Sequence, residues 1–132
     1  MAGASKIPDN LRYTEDHEWV HVEGSRARIG ITDYAQEALT DVVYVELPDV
    51  GEEFGHHDSM GVVESVKSVN DIFAPIAGRV VEVNKALDDE PELMNQDPYG
   101  KGWFALIEFS DQSALSKLMD AAHYKKFVES QH

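Results

Sequence analysis

Lys67 is the residue whose type and surroundings most clearly suggest chemistry. It is the only lysine or arginine between Arg28 and Arg79, and it stands between two strand-like runs at 61–66 and 71–74. A lysine at the tip of a tight connection is solvated and presents its amine from outside the fold. The spacing therefore predicts a site at which a modifying enzyme reads the folded protein. An ordinary solvated lysine is the alternative.

Other chemistry-bearing residues form weaker patterns. The chain has no cysteine, which excludes structural disulfides, thiolate metal sites and a cysteine nucleophile. His17 and His21 would share one face of a strand, but no third metal ligand accompanies them. No serine lies in the glycine pattern of a nucleophile elbow, and residues 98–102 lack the spacing of a phosphate loop. We therefore expect neither a catalytic residue nor a metal site.

The composition narrows the classes of partner. Hydrophobic residues make up 42% of the 132 residues, enough for a folded core, and the formal net charge is −14. Such a charge disfavours nucleic acid and anionic membranes as partners, because phosphate binding requires a basic stripe. No targeting segment or membrane span is visible. We expect a cytoplasmic bacterial protein, and a mature mitochondrial form remains the alternative.

Short strands are the elements that must position Lys67. Alternating apolar and polar residues predict a hairpin of strands 18–23 and 26–31, which turns at Gly24. Thr32 then offers an N-cap to a short helix that ends near Leu39. Further strands are predicted at 42–47, 59–66, 71–74, 79–83 and 103–109.

The rest of the chain is predicted to contain loops and C-terminal helices. Residues 88–92 and 97–102 read as loops, and helical spacing begins at about residue 112, with Asp120 as the cap of a second helix. The pattern predicts a mainly β fold, a sandwich or barrel-like core of short strands with a helical C-terminus. We expect a flexible segment at 1–10 and a single domain over 11–132.

The sequence around Lys67 resembles a known attachment hairpin. Glu64-Ser65-Val66-Lys67, followed by Ala74-Pro75-Ile76-Ala77-Gly78, is similar to the hairpin of biotinyl- and lipoyl-carrier domains. Biotin carriers typically flank the lysine with methionines, and dehydrogenase lipoyl domains typically show Asp-Lys-Ala. The Glu-Ser-Val-Lys motif instead resembles the glycine cleavage H proteins. Further blocks that match this family in order lie at 12–20, 29–36, 45–48 and 95–103, so the resemblance spans roughly 11 to 128.

The resemblance implies a fold and a function. The fold would be a barrel-sandwich hybrid of short antiparallel strands, with a short internal helix and a helical C-terminus. Lipoate would be joined to Lys67 by an amide, and Glu64, Ser65 and Val66 would direct its attachment. The protein would be a non-catalytic swinging-arm carrier of glycine catabolism and one-carbon metabolism. Its partners would be the P protein (glycine decarboxylase), the T protein (aminomethyltransferase), the L protein (dihydrolipoyl dehydrogenase) and a lipoate-attaching enzyme.

The resemblance also implies a cleft in which the loaded arm docks. The aminomethyl group carries a positive amine, which carboxylates would stabilise. The family's segment around His-Glu-Trp and the residues after the lysine point to Glu18, Asp71 and Asp16 as the cleft residues. Ordinary surface carboxylates are the alternative.

Three other functions remain open from the sequence. An H-like protein could hand lipoyl or octanoyl groups to other lipoyl-dependent complexes through the same lysine. A small β-rich hydrolase is a second alternative, although no triad or metal set is recognisable. A pure interaction module whose lysine is never modified is the third.

Overall fold

The computed structural model describes residues 6–131, and strands dominate it. In chain order the strands are β1 (Arg12–Tyr13), β2 (Glu18–Glu23), β3 (Arg26–Ile31), β4 (Val42–Glu46), β5 (Glu53–Phe54), β6 (Ser59–Ser65), β7 (Val69–Phe73), β8 (Gly78–Val83) and β9 (Ala105–Glu108). The α-helices are α1 (Asp33–Leu39), α2 (Ala86–Asp89), α3 (Leu93–Gln96) and α4 (Ala121–Ser130). A 3₁₀ helix at Gln112–Lys117 precedes α4.

Two antiparallel sheets form the body of the protein. Within the described residues, one sheet has the order β1-β2-β3-β9-β8-β5 and the other the order β4-β6-β7. The buried side chains of both sheets meet in a shared core, which includes Val20, Ile29, Val63 and Ile107. Gly61 leaves room that a side chain would fill, because a Cβ there would overlap the Glu46 carbonyl oxygen of β4 and lie 2.7 Å from Phe104 Cζ. The mainly β, barrel-sandwich-like fold is confirmed.

The hairpin and the internal helix agree with the sequence prediction. Strands β2 and β3 pair in register, with Trp19 opposite Gly30. Helix α1 begins after Thr32, whose Oγ1 accepts a hydrogen bond from the backbone N–H of Ala35 at 3.2 Å. A side-chain cap satisfies one of the free N–H groups at the start of a helix. The predicted start of α1 after Thr32 is therefore confirmed.

The predicted loop at 88–92 is partly wrong. Residues 86–89 and 93–96 form the short helices α2 and α3. Leu87 and Met94 are fully buried and anchor one helix each, so tertiary burial overrides the charged composition. The last strand is shorter than predicted, at Ala105–Glu108, and the first C-terminal helix is 3₁₀. Asp120 caps α4 as predicted, by accepting from the backbone N–H of His123 at 2.9 Å.

The two ends of the chain are described only in part. Residues 1–5 of the expected segment 1–10 lie outside the described residues. The backbone N–H of Lys6 donates to Asp33 at 2.9 Å, and the Tyr13 hydroxyl donates to the Pro8 carbonyl at 2.6 Å. None of the helices in the described part of the chain is long and apolar enough to cross a bilayer.

Candidate functional site

Lys67 lies at the tip of the hairpin that joins β6 to β7. The turn is closed by a hydrogen bond from the Ser65 backbone N–H to the Ser68 carbonyl at 2.8 Å. The Ser65 Oγ accepts from the backbone N–H groups of Lys67 at 3.1 Å and of Ser68 at 3.0 Å. Ser65 is itself buried, whereas Lys67 is exposed. The side chain of Ser65 therefore fixes the backbone of the tip from below and leaves the lysine amine outside.

A second segment of the chain holds the tip from the side. The backbone N–H of Val66 donates to the Asp41 carbonyl at 3.1 Å, across the connection between α1 and β4. The Lys67 Nζ lies 3.4 Å from the carbonyl oxygen of Ala38 in α1. Presentation of Lys67 therefore depends on the α1–β4 connection as well as on its own hairpin.

Asn95 holds that connection in a strained conformation. Thr40 has φ 63° and ψ −144°, which borders a region that essentially only glycine adopts, at a cost of about 1–3 kcal/mol. The Asn95 Nδ2 donates to the Thr40 carbonyl at 2.6 Å and to Gln36 Oε1 at 3.1 Å. Its Oδ1 accepts from the backbone N–H of Val42 at 2.9 Å. One amide thus ties together both sides of the segment that holds Val66.

We expect Asn95→Asp to loosen the tip. The new carboxylate oxygen cannot donate to the Thr40 carbonyl or to Gln36 Oε1, so both hydrogen bonds would be lost. The α1–β4 connection, which contains Asp41, would then be held less firmly. The amide of Val66 should exchange with solvent at least about tenfold faster, since 1.4 kcal/mol is tenfold in an opening equilibrium. Amide hydrogen exchange resolved by residue checks this.

Asn84→Asp is the matched control for this prediction. The Asn84 Nδ2 also donates to two carbonyls, those of Lys101 at 2.7 Å and Trp103 at 2.8 Å, but away from the tip. Both variants should lose stability, and only the Asn95 variant should expose Val66. Equal acceleration of Val66 exchange in the two variants would contradict the link between Asn95 and the tip.

A cleft begins beside the tip. It has a volume of about 560 Å³ and lies between β7, helix α1 and the segment 15–18. Strand β7 is at the edge of its sheet, and its residues 69–73 line this cleft. All three carboxylates that the resemblance suggested, Glu18, Asp71 and Asp16, line it. Ser68 and Val69 line it as well, which makes the cleft continuous with the residues that follow Lys67.

Glu18 is the buried carboxylate of the cleft. Its side chain is 2% exposed, and it accepts hydrogen bonds from the Thr14 hydroxyl at 2.8 Å and from the Phe73 backbone N–H at 3.0 Å. Burial raises the pKa of Glu18 to about 7, against the opposing effect of these two bonds. Glu18 therefore exchanges a proton near neutral pH, and a cation in the cleft would favour its ionised form.

Asp16 and Asp71 have different surroundings. The Asp16 carboxylate lies 3.0 Å from Nε2 of His57, and the His57 ring stacks on Phe73 with the centroids 4.4 Å apart. The Asp71 carboxylate accepts from the Ser59 hydroxyl at 3.0 Å. Both acids are more exposed than Glu18. The three carboxylates share one cleft, and Glu18 is the buried one among them.

His17 is a cleft residue that the sequence did not single out as one. Its Nδ1 lies 2.8 Å from the Tyr124 hydroxyl, which in turn lies 2.7 Å from the Thr32 hydroxyl. Burial lowers the pKa of His17, against the nearby charge of Asp16. His17 also has a left-handed backbone, with φ 66°. The sequence offered only a histidine pair of weak metal spacing, and no group that could hold a metal occurs in the described residues.

The three residues that are expected to direct attachment differ in how far their side chains are exposed to solvent. Val66 is 70% exposed, Glu64 is half-buried on β6, and Ser65 is buried and bonded within the turn. Sequence reasoning missed Val43, Tyr44 and Val69, which are also exposed hydrophobic residues near the tip. The run 42–47 predicted a strand, and an aromatic side chain such as that of Tyr44 would be expected in the core, whereas it is 52% exposed.

Comparisons with known proteins agree over nearly the full chain. The sequence model of the family described as glycine cleavage H-protein matches residues 11–131. A glycine cleavage system H protein of Anaeromyxobacter sp. (strain K) is 57% identical over 126 residues, covering 96% of this chain and 98% of the relative. One from Halalkalibacterium halodurans is 52% identical over 124 residues, covering 94% and 97%.

A solved structure is similar in three dimensions. The crystal structure of a glycine cleavage system H protein from Mycobacterium marinum superimposes with a TM-score of 0.85 at 41% sequence identity. The similarity covers 93% of this chain and 99% of that one.

Proposed function

The chain belongs to the glycine cleavage H-protein family, and on that premise we propose that it carries lipoate in amide linkage on Lys67. The observation that carries this proposal is the tip itself, an exposed lysine on a turn that Ser65 and Asp41 hold from two sides. Forming the amide removes one positive charge, so the formal net charge would change from −14 to −15.

The residues near the tip fit a lipoyl arm. Apolar side chains of Ile31, Leu39 and Val63 line the cleft beside Lys67, and carboxylates line its other part. When attached, the group supplies the sulfur pair that accepts the aminomethyl group of glycine from the P protein, releases it at the T protein and returns electrons to the L protein. The chain has no sulfur pair of its own, since it contains no cysteine.

The protein's own contribution would be positioning and protection. Glu18, Asp71 and Asp16 would hold the positive amine of the loaded arm inside the cleft, away from bulk water. Glu18 gives the strongest support for this role. Its raised pKa means that ionisation of the buried carboxyl group costs free energy, and an incoming cation would offset that cost. The chain would be a carrier, with the chemistry supplied by the arm and the partner enzymes. Its cytoplasmic location stays a prediction.

The test of this proposal is the intact mass of protein purified from a host supplied with lipoate, followed by peptide mapping. We expect a lipoyl-sized increase on the peptide that contains Lys67 and on no other. A folded but unmodified protein, from a host whose other lipoyl proteins are loaded, would favour the unmodified interaction module instead.

We expect Glu64→Ala to slow the attachment of lipoate. Glu64 lies three residues before Lys67, and none of the described residues offers its carboxylate a hydrogen bond or an ion pair. A free carboxylate beside the modified residue suits recognition by a basic group, worth about 1.5–3 kcal/mol when charge-assisted, or roughly tenfold in rate or more. Initial rates of mass increase at limiting enzyme check this. A Glu64→Ala protein that is modified as fast as the unchanged protein would exclude the recognition role.

A further inference from the structure

His57 lies behind the wall of the cleft, in the connection between β5 and β6. Its backbone is left-handed, with φ 70°, a conformation that disfavours a residue with a Cβ. Two hydrogen bonds of 2.8 Å hold it there, from the His57 N–H to the Ala74 carbonyl and from the Ala74 N–H to the Asp58 carbonyl. Strained backbone that its surroundings hold in this way is typical of functional sites, which makes the His57 side chain a candidate for a role.

The His57 ring joins two residues of the cleft wall. It stacks on the Phe73 ring, with the centroids 4.4 Å apart and the planes within 8°, and its Nε2 lies 3.0 Å from Asp16 Oδ2. Phe73 and Asp16 line the cleft. His57 itself lines a neighbouring cavity of about 550 Å³, which shares Glu15, Asp16 and Glu18 with the cleft. His57 therefore contacts Asp16 from a side that a docked arm would leave open.

These contacts connect Asp16 with Glu18, the buried carboxylate of the cleft. The Phe73 backbone N–H donates to Glu18 at 3.0 Å, and the Thr14 hydroxyl donates to Glu18 at 2.8 Å. The Thr14 oxygen in turn accepts from the Asp16 backbone N–H at 3.2 Å. His57 closes a ring of contacts whose other members are Phe73, Glu18, Thr14 and Asp16. Without the His57 side chain, this ring would be open at the Asp16 carboxylate.

We propose that His57 is a positioning residue, which holds the Asp16 carboxylate in the cleft wall, where it faces the positive amine of the loaded arm. This inference rests on the proposed function. The Nε2–H group of His57 can donate to Asp16 Oδ2 from a neutral or a protonated ring, and Asp16 Oδ1 takes no part in this contact. Without His57 the Asp16 side chain, which is 35% exposed, would be free to turn towards solvent.

Exposure to solvent limits the size of the expected effect. The His57 side chain is 58% exposed, and pairs at such exposure contribute little through charge alone. The contribution of His57 is therefore the direction in which Asp16 points. We expect its loss to shorten the lifetime of the aminomethyl load about twofold to fivefold, less than the loss of the buried Glu18 carboxylate would.

The test compares His57→Gly with His56→Ala, each alone and combined with Asp16→Asn. Glycine adopts a positive φ readily, so His57→Gly keeps the fold and removes the ring. His56 is the adjacent exposed histidine, and among the described residues no carboxylate pairs with it. The lipoylated proteins are loaded with glycine by the P protein, and the lifetime of the load at pH 8 is followed by intact mass. Only His57→Gly should shorten it, and His57→Gly should have no further effect once Asp16 is asparagine.

The oxidised arm distinguishes positioning from a general loosening of the cleft. This arm carries no positive amine, so the direction of the Asp16 carboxylate should matter little to it. The rate at which dithiothreitol reduces the oxidised arm should therefore be the same in the unchanged protein, His57→Gly and His56→Ala.

The titration of Glu18 in the unmodified protein gives a readout that needs no arm. Asp16 raises the pKa of Glu18 and His57 lowers it, while Asp71 lines the same cleft and Tyr124 of α4 lies within electrostatic range. The pKa of Glu18, followed by carboxyl ¹³C NMR, should therefore rise in His57→Gly and stay unchanged in His56→Ala.

Each contrary result has a definite meaning. An unchanged load lifetime in His57→Gly, an equal effect on the loaded and the oxidised arm, an effect that persists with Asp16→Asn, or an unchanged Glu18 pKa would each overturn the role of His57. The pair with Asp16 would then be an ordinary surface contact. If the unchanged protein accepts no lipoate at all, the proposed function fails, and this inference fails with it.

Discussion

Lys67→Arg should abolish lipoate attachment completely and leave the fold as it is. Arginine keeps the positive charge and nearly the reach of lysine, but its guanidinium stays protonated and does not form the amide. The backbone bonds that hold the turn come from Ser65 and Asp41 and do not involve the lysine side chain. Intact mass after incubation with the attaching enzyme should show no increase, and the free energy of unfolding should change by less than about 0.5 kcal/mol.

Lys101→Arg is the matched control for this result. Lys101 is another exposed lysine in a loop, between two glycines, and its neighbours resemble no attachment motif. The Lys101 variant should be modified as fully as the unchanged protein. A mass increase that persists in the Lys67 variant and maps to a different lysine would contradict the assignment of the arm to Lys67.

Local patterns were sufficient to predict the elements that carry Lys67. The hairpin of β2 and β3, the Thr32 cap and the strands on each side of Lys67 follow from alternation, turn residues and a capping hydroxyl, all of which act within a few residues. The helices α2 and α3 could not be predicted in the same way. They form because Leu87 and Met94 enter the core, which depends on strands far away in the sequence.

The sequence could predict which residues belong to the candidate site, but not their burial or their contacts. The resemblance suggested Glu18, Asp71 and Asp16, and they do line one cleft. It gave no sign that Glu18 would be buried, because the Phe73 N–H that holds Glu18 lies 55 residues away in the chain. The Asn95 contact with Thr40 is equally distant, at 55 residues. Such contacts depend on the whole fold, as does the outward direction of Tyr44.

Glu18 should make the stability of the unmodified protein fall as pH rises towards neutrality. Burial raises its pKa from 4.5 to about 7, so between these values the folded protein keeps a proton that the unfolded chain gives up. Stability falls with pH wherever the native state binds more protons. A shift of this size corresponds to at most on the order of 3 kcal/mol, fully present below pH 4.5 and lost as pH passes through 7.

Glu18→Gln isolates this contribution. The amide has nearly the size of the carboxyl group and can accept from the Phe73 N–H through Oε1, so the position of the side chain is kept. The difference in unfolding free energy between the two proteins should move in favour of the variant from pH 5 to pH 8, as measured by urea unfolding at each pH with similar m-values. A difference that is independent of pH would contradict a raised Glu18 pKa.

The same carboxylate should protect the loaded arm, in a pH range that follows from its pKa. The attraction between an ionised Glu18 and the positive amine offsets the free-energy cost of burying the carboxylate charge. A protonated Glu18 has no charge, like glutamine, and so lacks this attraction. At pH 8 the unchanged protein should therefore keep the aminomethyl load roughly tenfold longer than Glu18→Gln, as a charge-assisted bond of about 1.5–3 kcal/mol implies. This ratio of lifetimes should fall towards one at low pH, where Glu18 is protonated, and the fall should occur below pH 7 because the positive amine favours the ionised form. Using a ratio removes the pH dependence of hydrolysis that both proteins share. Lifetimes followed by intact mass check this, and equal lifetimes at every pH would show that Glu18 is buried for the fold and takes no part in holding the arm.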